Sequence, residues 1–111
     1  SCVYFNEGCM ISSKSKVQIG EGCQFGPNVK IFDNDHCYSA VAGVLSMHTS
    51  APIAIGKNCW IAANVTILKG ATIGDNCVIG AGTVVKGEIP DGSIVTQERK
   101  LHIRSIETGE R

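Results

Sequence analysis

From residue 55 the chain reads IGKNCW, IAANVT, ILKGAT, IGDNCV, IGAGTV, VKGEIP, with an aliphatic residue at every sixth position: Ile55, Ile61, Ile67, Ile73, Ile79 and Val85. The same frame runs backward through Ile31, Phe25 and Ile19. A second column falls four residues into each hexad, at Val17, Cys23, Val29, Cys59, Val65, Ala71, Cys77, Thr83 and Ile89. Gly or Ala often follows the aliphatic residue, as at Gly20, Gly26, Ala62 and Gly74. A period of six fits neither the 3.6 of a helix nor the 2 of an isolated strand. It fits short strands joined by tight bends, each sending one pair of side chains inward, with glycine relieving the corners. Three such strands close a coil, and coils stack by hydrogen bonding at a spacing of about 4.8 Å.

The frame divides the chain into coils at 1–36 and 55–90, each coil 18 residues long. The first coil keeps only the second column, at Phe5, Ile11 and Val17, while Ser1, Glu7 and Ser13 stand where aliphatics would be. An end coil facing solvent is expected to look this way. Residues 37–54, CYSAVAGVLSMHTSAPIA, have a coil's length without its pattern. They are read as a loop thrown out from the body that returns as a strand through Pro52 and Ile53. Long irregular loops in compact domains are usually functional or disordered, and this one follows directly on His36. Residues 91–111 form a short C-terminal tail; its charged part, TQERKLHIRSIETGER, carries no repeat and is expected to cover the open edge of the last coil. The expectation is a single all-β domain over 1–111, a parallel β-helix of about four coils with one extruded loop. The sequence opens on Ser1 rather than Met, inside repeat-like sequence, which leaves open whether a natural N-terminal segment is missing.

Ten basic residues balance ten acidic ones, so the basic excess that nucleic acid or an anionic membrane would favour is not there. No apolar run approaches the roughly 20 residues of a membrane span, and no signal peptide is visible. Only 5% of the chain is aromatic, so the core must be built from Ile, Val, Ala and Cys. Cys23, Cys59 and Cys77 fall in the inward column, where a thiol behaves as a small hydrophobe. No CxxC pair signals zinc or redox work, and a reduced cytoplasmic protein without a metal is the expectation.

The hexads, the loop and the run ILKGATIGDNCVIGAGTVV together resemble the hexapeptide-repeat acyltransferases. Within them the likeness is to sugar O-acetyltransferases of the galactoside, maltose and polysaccharide-modifying kind, over roughly residues 5 to 95. Its landmarks are GPN at 26–28, DNDH at 33–36 and APIAIGKNCWIAANVTIL at 51–68; Asn28 precedes His36 by eight residues and Trp60 follows it by 24. The resemblance implies a left-handed parallel β-helix, although ordinary parallel crossovers are right-handed. It also implies a homotrimer with active sites between subunits, and acetyl-CoA as the acyl donor.

Acetyl transfer to a hydroxyl needs a base for the hydroxyl proton, a donor facing the thioester oxygen, and alignment of both substrates. Imidazole suits the first task near neutral pH. His36, at a coil corner where the regular pattern stops, is the candidate base. Asn28 is the candidate for orienting the acceptor hydroxyl; an asparagine at a corner is equally at home in a left-handed backbone conformation. Of the carboxylates flanking His36, one would fix the imidazole tautomer. Asp33 is read as a solvated turn residue, whereas Asp35 falls in the small inward column and so either leaves the register or is buried with a partner. By the resemblance, the backbone at Ala63 and Ala81 contacts pantetheine, and Lys86, Lys100 and Arg104 lie at the nucleotide end, where phosphates want cations. Trp60 points outward and belongs beside the acceptor cleft in a subunit interface.

The chain departs from the family pattern at the nucleotide end, where TQERKLH replaces a Gly-x-Pro segment and Lys86-Gly87 the usual Thr-Lys. Its loop also holds no carboxylate. Two other readings use the same helix. One is a zinc enzyme of the γ-class carbonic anhydrase type, for which His36, His48 and His102 are present but no HxxxxH pair. The other is a non-catalytic scaffold or sugar-binding module, which has no reason to keep His36 in its DNDH setting.

Overall fold

In the computed structural model residues 2–106 are described; within them, the side chains at 36, 38 and 46–48 are outside the description. The described residues contain strands and no helix. Each coil contributes one short strand to each of three faces. Coil one carries β1 (Tyr4–Phe5), β2 (Met10–Ser12) and β3 (Val17–Ile19). Coil two carries β4 (Gln24–Phe25) and β5 (Lys30–Phe32), then β6 (Asn34–Ser39) and β7 (Gly43–Ser50), and closes with β8 (Ile53–Ile55). Coil three is β9 (Trp60–Ile61), β10 (Thr66–Ile67) and β11 (Thr72–Ile73). Coil four is β12 (Val78–Ile79), β13 (Val84–Val85) and β14 (Glu88–Ile89), and β15 (Ile94–Val95) opens a fifth.

The first face stacks β1-β4-β9-β12-β15, the second β2-β5-β10-β13 and the third β3-β8-β11-β14. Every pairing on these faces is parallel, and backbone bonds such as Trp60 N to Cys77 O at 2.9 Å run from coil to coil. The expected columns line one interior: Phe25, Ile31, Ile55, Ile61, Ile67, Ile73, Ile79 and Val85 are buried, as are Cys23, Val29, Cys59, Val65, Ala71 and Cys77. With so few aromatics, this axis is filled by β-branched side chains and thiols; among the described residues the one ring pair is the stack of Phe5 on Phe25, centroids 4.5 Å apart. Buried thiols also do polar work. Cys23 Sγ donates to Gly56 O, Cys59 Sγ to Gly74 O and Cys77 Sγ to Pro90 O, at 3.0–3.2 Å, each satisfying a corner carbonyl of the coil above.

Corners are built by left-handed residues in vertical register. Gly8, Asn28, Asn64 and Gly82 share the corner between the first and second faces, and Gly22, Asn58, Asn76 and Gly92 that between the third and first. The four asparagines have φ between 56° and 61°, a region that asparagine tolerates far better than branched residues do.

The frame read from sequence slips at both ends. Phe5 pairs with Phe25 and Ile11 with Ile31, which puts Phe5 and Ile11 in the aliphatic column rather than the second one. Val3 and Cys9 then occupy the second column, packed against the core, so the first coil has both. Two extra residues between Ile11 and Ile19 cause the slip, and they bulge out as a corner around Ser13–Lys16. Conversely, Ile89 pairs with Ile73 in the aliphatic column, because the link from Val85 is two residues short of a hexad. Gly87, at φ 77°, makes that tight turn. The tail also starts later than residue 91, since β15 still pairs with β12. Beyond it, Gln97 Oε1 accepts from Val84 N at 3.0 Å and Arg99 donates to Gly82 O, over the upper edge of the second face.

Residues 37–54 are not an irregular loop. Strands β6 and β7 pair antiparallel as a separate two-stranded ribbon, beginning at Asn34 and carrying a bulge between His36 and Tyr38. The coil resumes at Ile53, whose side chain is buried.

Candidate active site

The ribbon leaves the helix at the corner between the second and third faces, and its root is Asp33. That side chain is fully buried, which corrects its reading as a solvated turn residue. Its Oδ2 accepts from Ser13 Oγ at 2.7 Å and Ser15 N at 2.9 Å, and its Oδ1 from Lys14 N at 2.7 Å and Asn34 Nδ2 at 3.0 Å. Burial alone would raise its pKa; the hydrogen bonds from Ser13, Asn34, Lys14 and Ser15 outweigh it and hold the carboxyl far below the ordinary range. The two-residue bulge of coil one thus exists to wrap an anion at the root of the ribbon. Both carboxylate oxygens are engaged there, so Asp33 has no free oxygen for an imidazole.

Asp35 leaves the inward column by entering β6, which resolves its alternatives in favour of exposure. Its Oδ2 lies 3.5 Å from Lys69 Nζ, and Lys69 also donates to Thr49 Oγ1 at 2.5 Å. Asp35 and Thr49 are register partners, and the next pair along the ribbon is His36 with His48. The backbone of His36 is therefore placed on the ribbon, in the third pair out from the body, while its side chain lies outside the described part. Lys69 occupies the same corner one coil further on, and Lys86, exposed, occupies it in coil four.

The remaining candidates group at the other end of the second face. Asn28, Ala63 and Ala81 are consecutive coils' contributions to the corner between the first and second faces, linked by Asn64 N to Pro27 O at 2.9 Å and Gly82 N to Ala63 O at 3.0 Å. Asn28 is exposed with φ 61°, the backbone conformation its alternative reading required, and its amide oxygen lies over Gly8, where no Cβ intervenes. Ala63 is half-buried and Ala81 exposed; their small side chains leave the corner backbone open to an extended ligand arm. Coil packing is tight here, for a Cβ added to Gly26 would meet Ala63 N at 2.7 Å. Trp60 is 57% exposed on the first face, outward as the frame expected, in register with Gln24 and Val78. Lys100 and Arg104 lie on the exposed tail.

Within one chain, then, two clusters form: Asn28, Ala63 and Ala81 at one end of the second face, and Asp35, Lys69, Lys86 and the His36 backbone at the other. Lys69, Thr49 and the Ser13–Ser15 wrap were missed from sequence. With 37–54 read as irregular, nothing paired Thr49 with Asp35, and nothing put Lys69 beside either.

Fold and corner together define a protein of stacked hexads, a left-handed parallel β-helix interrupted by one projecting ribbon. The bacterial transferase hexapeptide (six repeats) signature matches residues 52–87. Galactoside O-acetyltransferase of Escherichia coli strain K12 is 39% identical over 103 residues, covering 93% of this chain and 51% of that protein. Among solved structures, a maltose O-acetyltransferase from Clostridium difficile 630 aligns with TM-score 0.74 and 37% identity over 83% of this chain and 49% of that one. A galactoside acetyltransferase in complex with coenzyme A aligns with TM-score 0.69 and 34% identity over 83% of this chain and 53% of that one. The chain thus carries the hexapeptide repeats of the bacterial transferases and is similar to these acetyltransferases along most of its own length. It spans about half the length of the curated relatives it matches.

Proposed function

We propose that this β-helix is the catalytic body of an acetyl-CoA-dependent O-acetyltransferase whose acceptor is a hydroxyl of a sugar or polysaccharide precursor, with His36 as general base. The observation that carries the reading is the ribbon itself. An otherwise regular helix commits a buried, four-times-bonded carboxylate to launching two strands whose third register pair contains His36. Similarity to galactoside and maltose O-acetyltransferases supports the reaction and the acceptor class, and the coenzyme A complex of a relative supports the donor.

In this chemistry the His36 imidazole takes the proton of the acceptor hydroxyl as its oxygen attacks the thioester carbonyl. The tetrahedral intermediate collapses with cleavage of the C–S bond, and the imidazolium returns the proton to the departing coenzyme A thiolate. Asn28 orients the acceptor hydroxyl from its exposed corner. The open backbone at Ala63 and Ala81 suits the pantetheine arm, which has amides to match and needs room to lie along the stack. Exposed Lys86, Lys100 and Arg104 supply cations for the phosphates. Asp35 and Trp60 border the acceptor cleft.

A site that uses both ends of the second face closes most simply between copies, each supplying one end. Exposed Tyr4, Trp60 and Ile94 on the first face favour such an assembly, and a homotrimer is the form proposed. Six free cysteines, three of them buried, suit a reducing cytoplasm.

The test is thiol release from acetyl-CoA with a panel of sugars, wild type against His36→Ala. Turnover is expected to fall by about 10² to 10⁴, the usual contribution of a general base, with the circular dichroism of the helix unchanged. Equal rates in the two proteins would remove His36 from the reaction.

A further inference from the structure

We propose that Lys69 is a positioning residue, which sets where the ribbon holds His36 by pinning both of its strands to coil three; the catalytic half of this inference rests on the function proposed above. Strands β6 and β7 pair with each other and with no other strand of the described residues. A lone two-stranded ribbon is marginally stable in water, so its angle to the helix has to be set from outside. On the side of coil one this is done at the root, by Asp33 and by Asn34 Nδ2 donating to Ser12 O at 3.1 Å. On the side of coil three Lys69 reaches back from the corner to the ribbon. Its Nζ lies 3.5 Å from Asp35 Oδ2 on β6 and 2.5 Å from Thr49 Oγ1 on β7.

Those two residues face each other across the ribbon, one pair before His36 and His48. One ammonium group therefore ties the two strands together and to the helix, at the last point before the base. An ordinary corner lysine would extend into solvent and select neither strand.

Energy and geometry make different demands here, and the difference provides the test. Asp35 is 64% exposed, so the ion pair itself adds little to stability. Misplacing a reacting group by about 1 Å, in contrast, costs on the order of 10² in rate. Lys69 thus governs turnover without governing folding.

The experiment compares wild type with Lys69→Ala and Lys69→Arg by steady-state kinetics, thermal unfolding and amide hydrogen exchange. In Lys69→Ala, kcat is expected to fall about 10- to 100-fold, with the KM for acetyl-CoA and the melting temperature little changed. Exchange should quicken across 34–50 and stay as it was in the coils. Lys69→Arg, which keeps the charge and the donors, should restore most of kcat and the slow exchange. Unaltered ribbon exchange in Lys69→Ala, or wild-type kcat there, overturns the proposal. Wild-type protein inert toward every acceptor would instead reject the acetyltransferase reading, and exchange would still decide whether Lys69 holds the ribbon.

Discussion

The hydroxyl of Ser13, in coil one, donates to the buried carboxylate of Asp33, in coil two, across 2.7 Å. This contact and those from Lys14 N and Ser15 N join the extra residues of one coil to the point where the next is interrupted, and Asn34 Nδ2 adds a fourth donor from the ribbon. A buried carboxylate costs stability unless its charge is met by donors, and here four donors meet it.

Asp33→Asn should therefore destabilise the helix at pH 7 by about 2–4 kcal/mol, since an amide NH₂ must face backbone N–H groups that had a carboxylate oxygen. The pH dependence follows from the direction of the shift. Folding lowers the pKa of Asp33, so its contribution is complete above the ordinary value of 3.8 and drains away as pH falls below that value toward the folded one. Urea titrations of both proteins between pH 7 and pH 2 should show the gap narrowing only in the acid range. A constant gap, or none, would mean that the wrap around Asp33 contributes nothing through its charge.

The inward cysteines make a second prediction. Burial pushes the Cys59 thiol up to about 11, and Cys23 and Cys77 are as deeply enclosed. Iodoacetamide at pH 8 should modify exposed Cys2 in the folded protein; it should spare Cys59, because the thiolate is the reactive form, and Cys23 and Cys77, because the reagent cannot reach the closed axis. Fresh protein labelled in denaturant should instead react at all six thiols. Mass spectrometry of the labelled peptides decides the matter, and rapid labelling of Cys59 in native protein would contradict the enclosed axis.

The interior of this fold was legible because its signal is one-dimensional: Ile55 through Val85 repeat in steps of six, and each step lands on the same axis. The errors came where the chain changes its step. Eight residues separate Ile11 from Ile19 and four separate Val85 from Ile89, and side-chain type alone gives no notice of either change. Serine and lysine at 13–15 look like any solvated turn until Asp33 is seen to be their shared acceptor. The candidate site was legible in part for the same reason. Ala63 and Ala81 are hexad positions and stack as such, whereas Lys69 meets Asp35 only through an antiparallel ribbon that obeys no hexad.

Gly26 offers a test of corner packing beside the proposed pantetheine site. A Cβ there would lie 2.7 Å from Ala63 N and 2.9 Å from Ala62 C, and those are backbone atoms held in the coil-to-coil ladder. They cannot swing aside as a side chain end would. Gly26→Ala should cost about 1–3 kcal/mol, the range for overpacking a tight site. Since the strain falls on Ala63, the KM for acetyl-CoA should rise as well. Gly43→Ala, at the start of β7 beside the ribbon's turn, meets nothing within 4 Å but keeps the penalty of φ 72°, and it should leave that KM alone. If Gly26→Ala matches wild type in both stability and KM, the coils are not in the contact described.

Assembly is open to the most direct test. Tyr4, Gln24, Trp60, Val78 and Ile94 form one register line up the outside of the first face. Three of them, Tyr4, Trp60 and Ile94, are more than half exposed in the single chain. Apolar side chains at four of the five positions of this line mark a surface built for contact. Trp60, at the centre of the line, lends nothing to the interior, because its neighbour Ile61 is the residue that points inward. Trp60→Glu should therefore leave the helix folded. If copies meet on this face, however, the variant buries an unpaired carboxylate, which costs several kcal/mol at each contact. Light scattering at micromolar concentration is expected to give three chains for wild type and one for Trp60→Glu, with matching circular dichroism. A wild type that scatters as a single chain would take the trimer away, and a variant that stays trimeric would move the contact to another face.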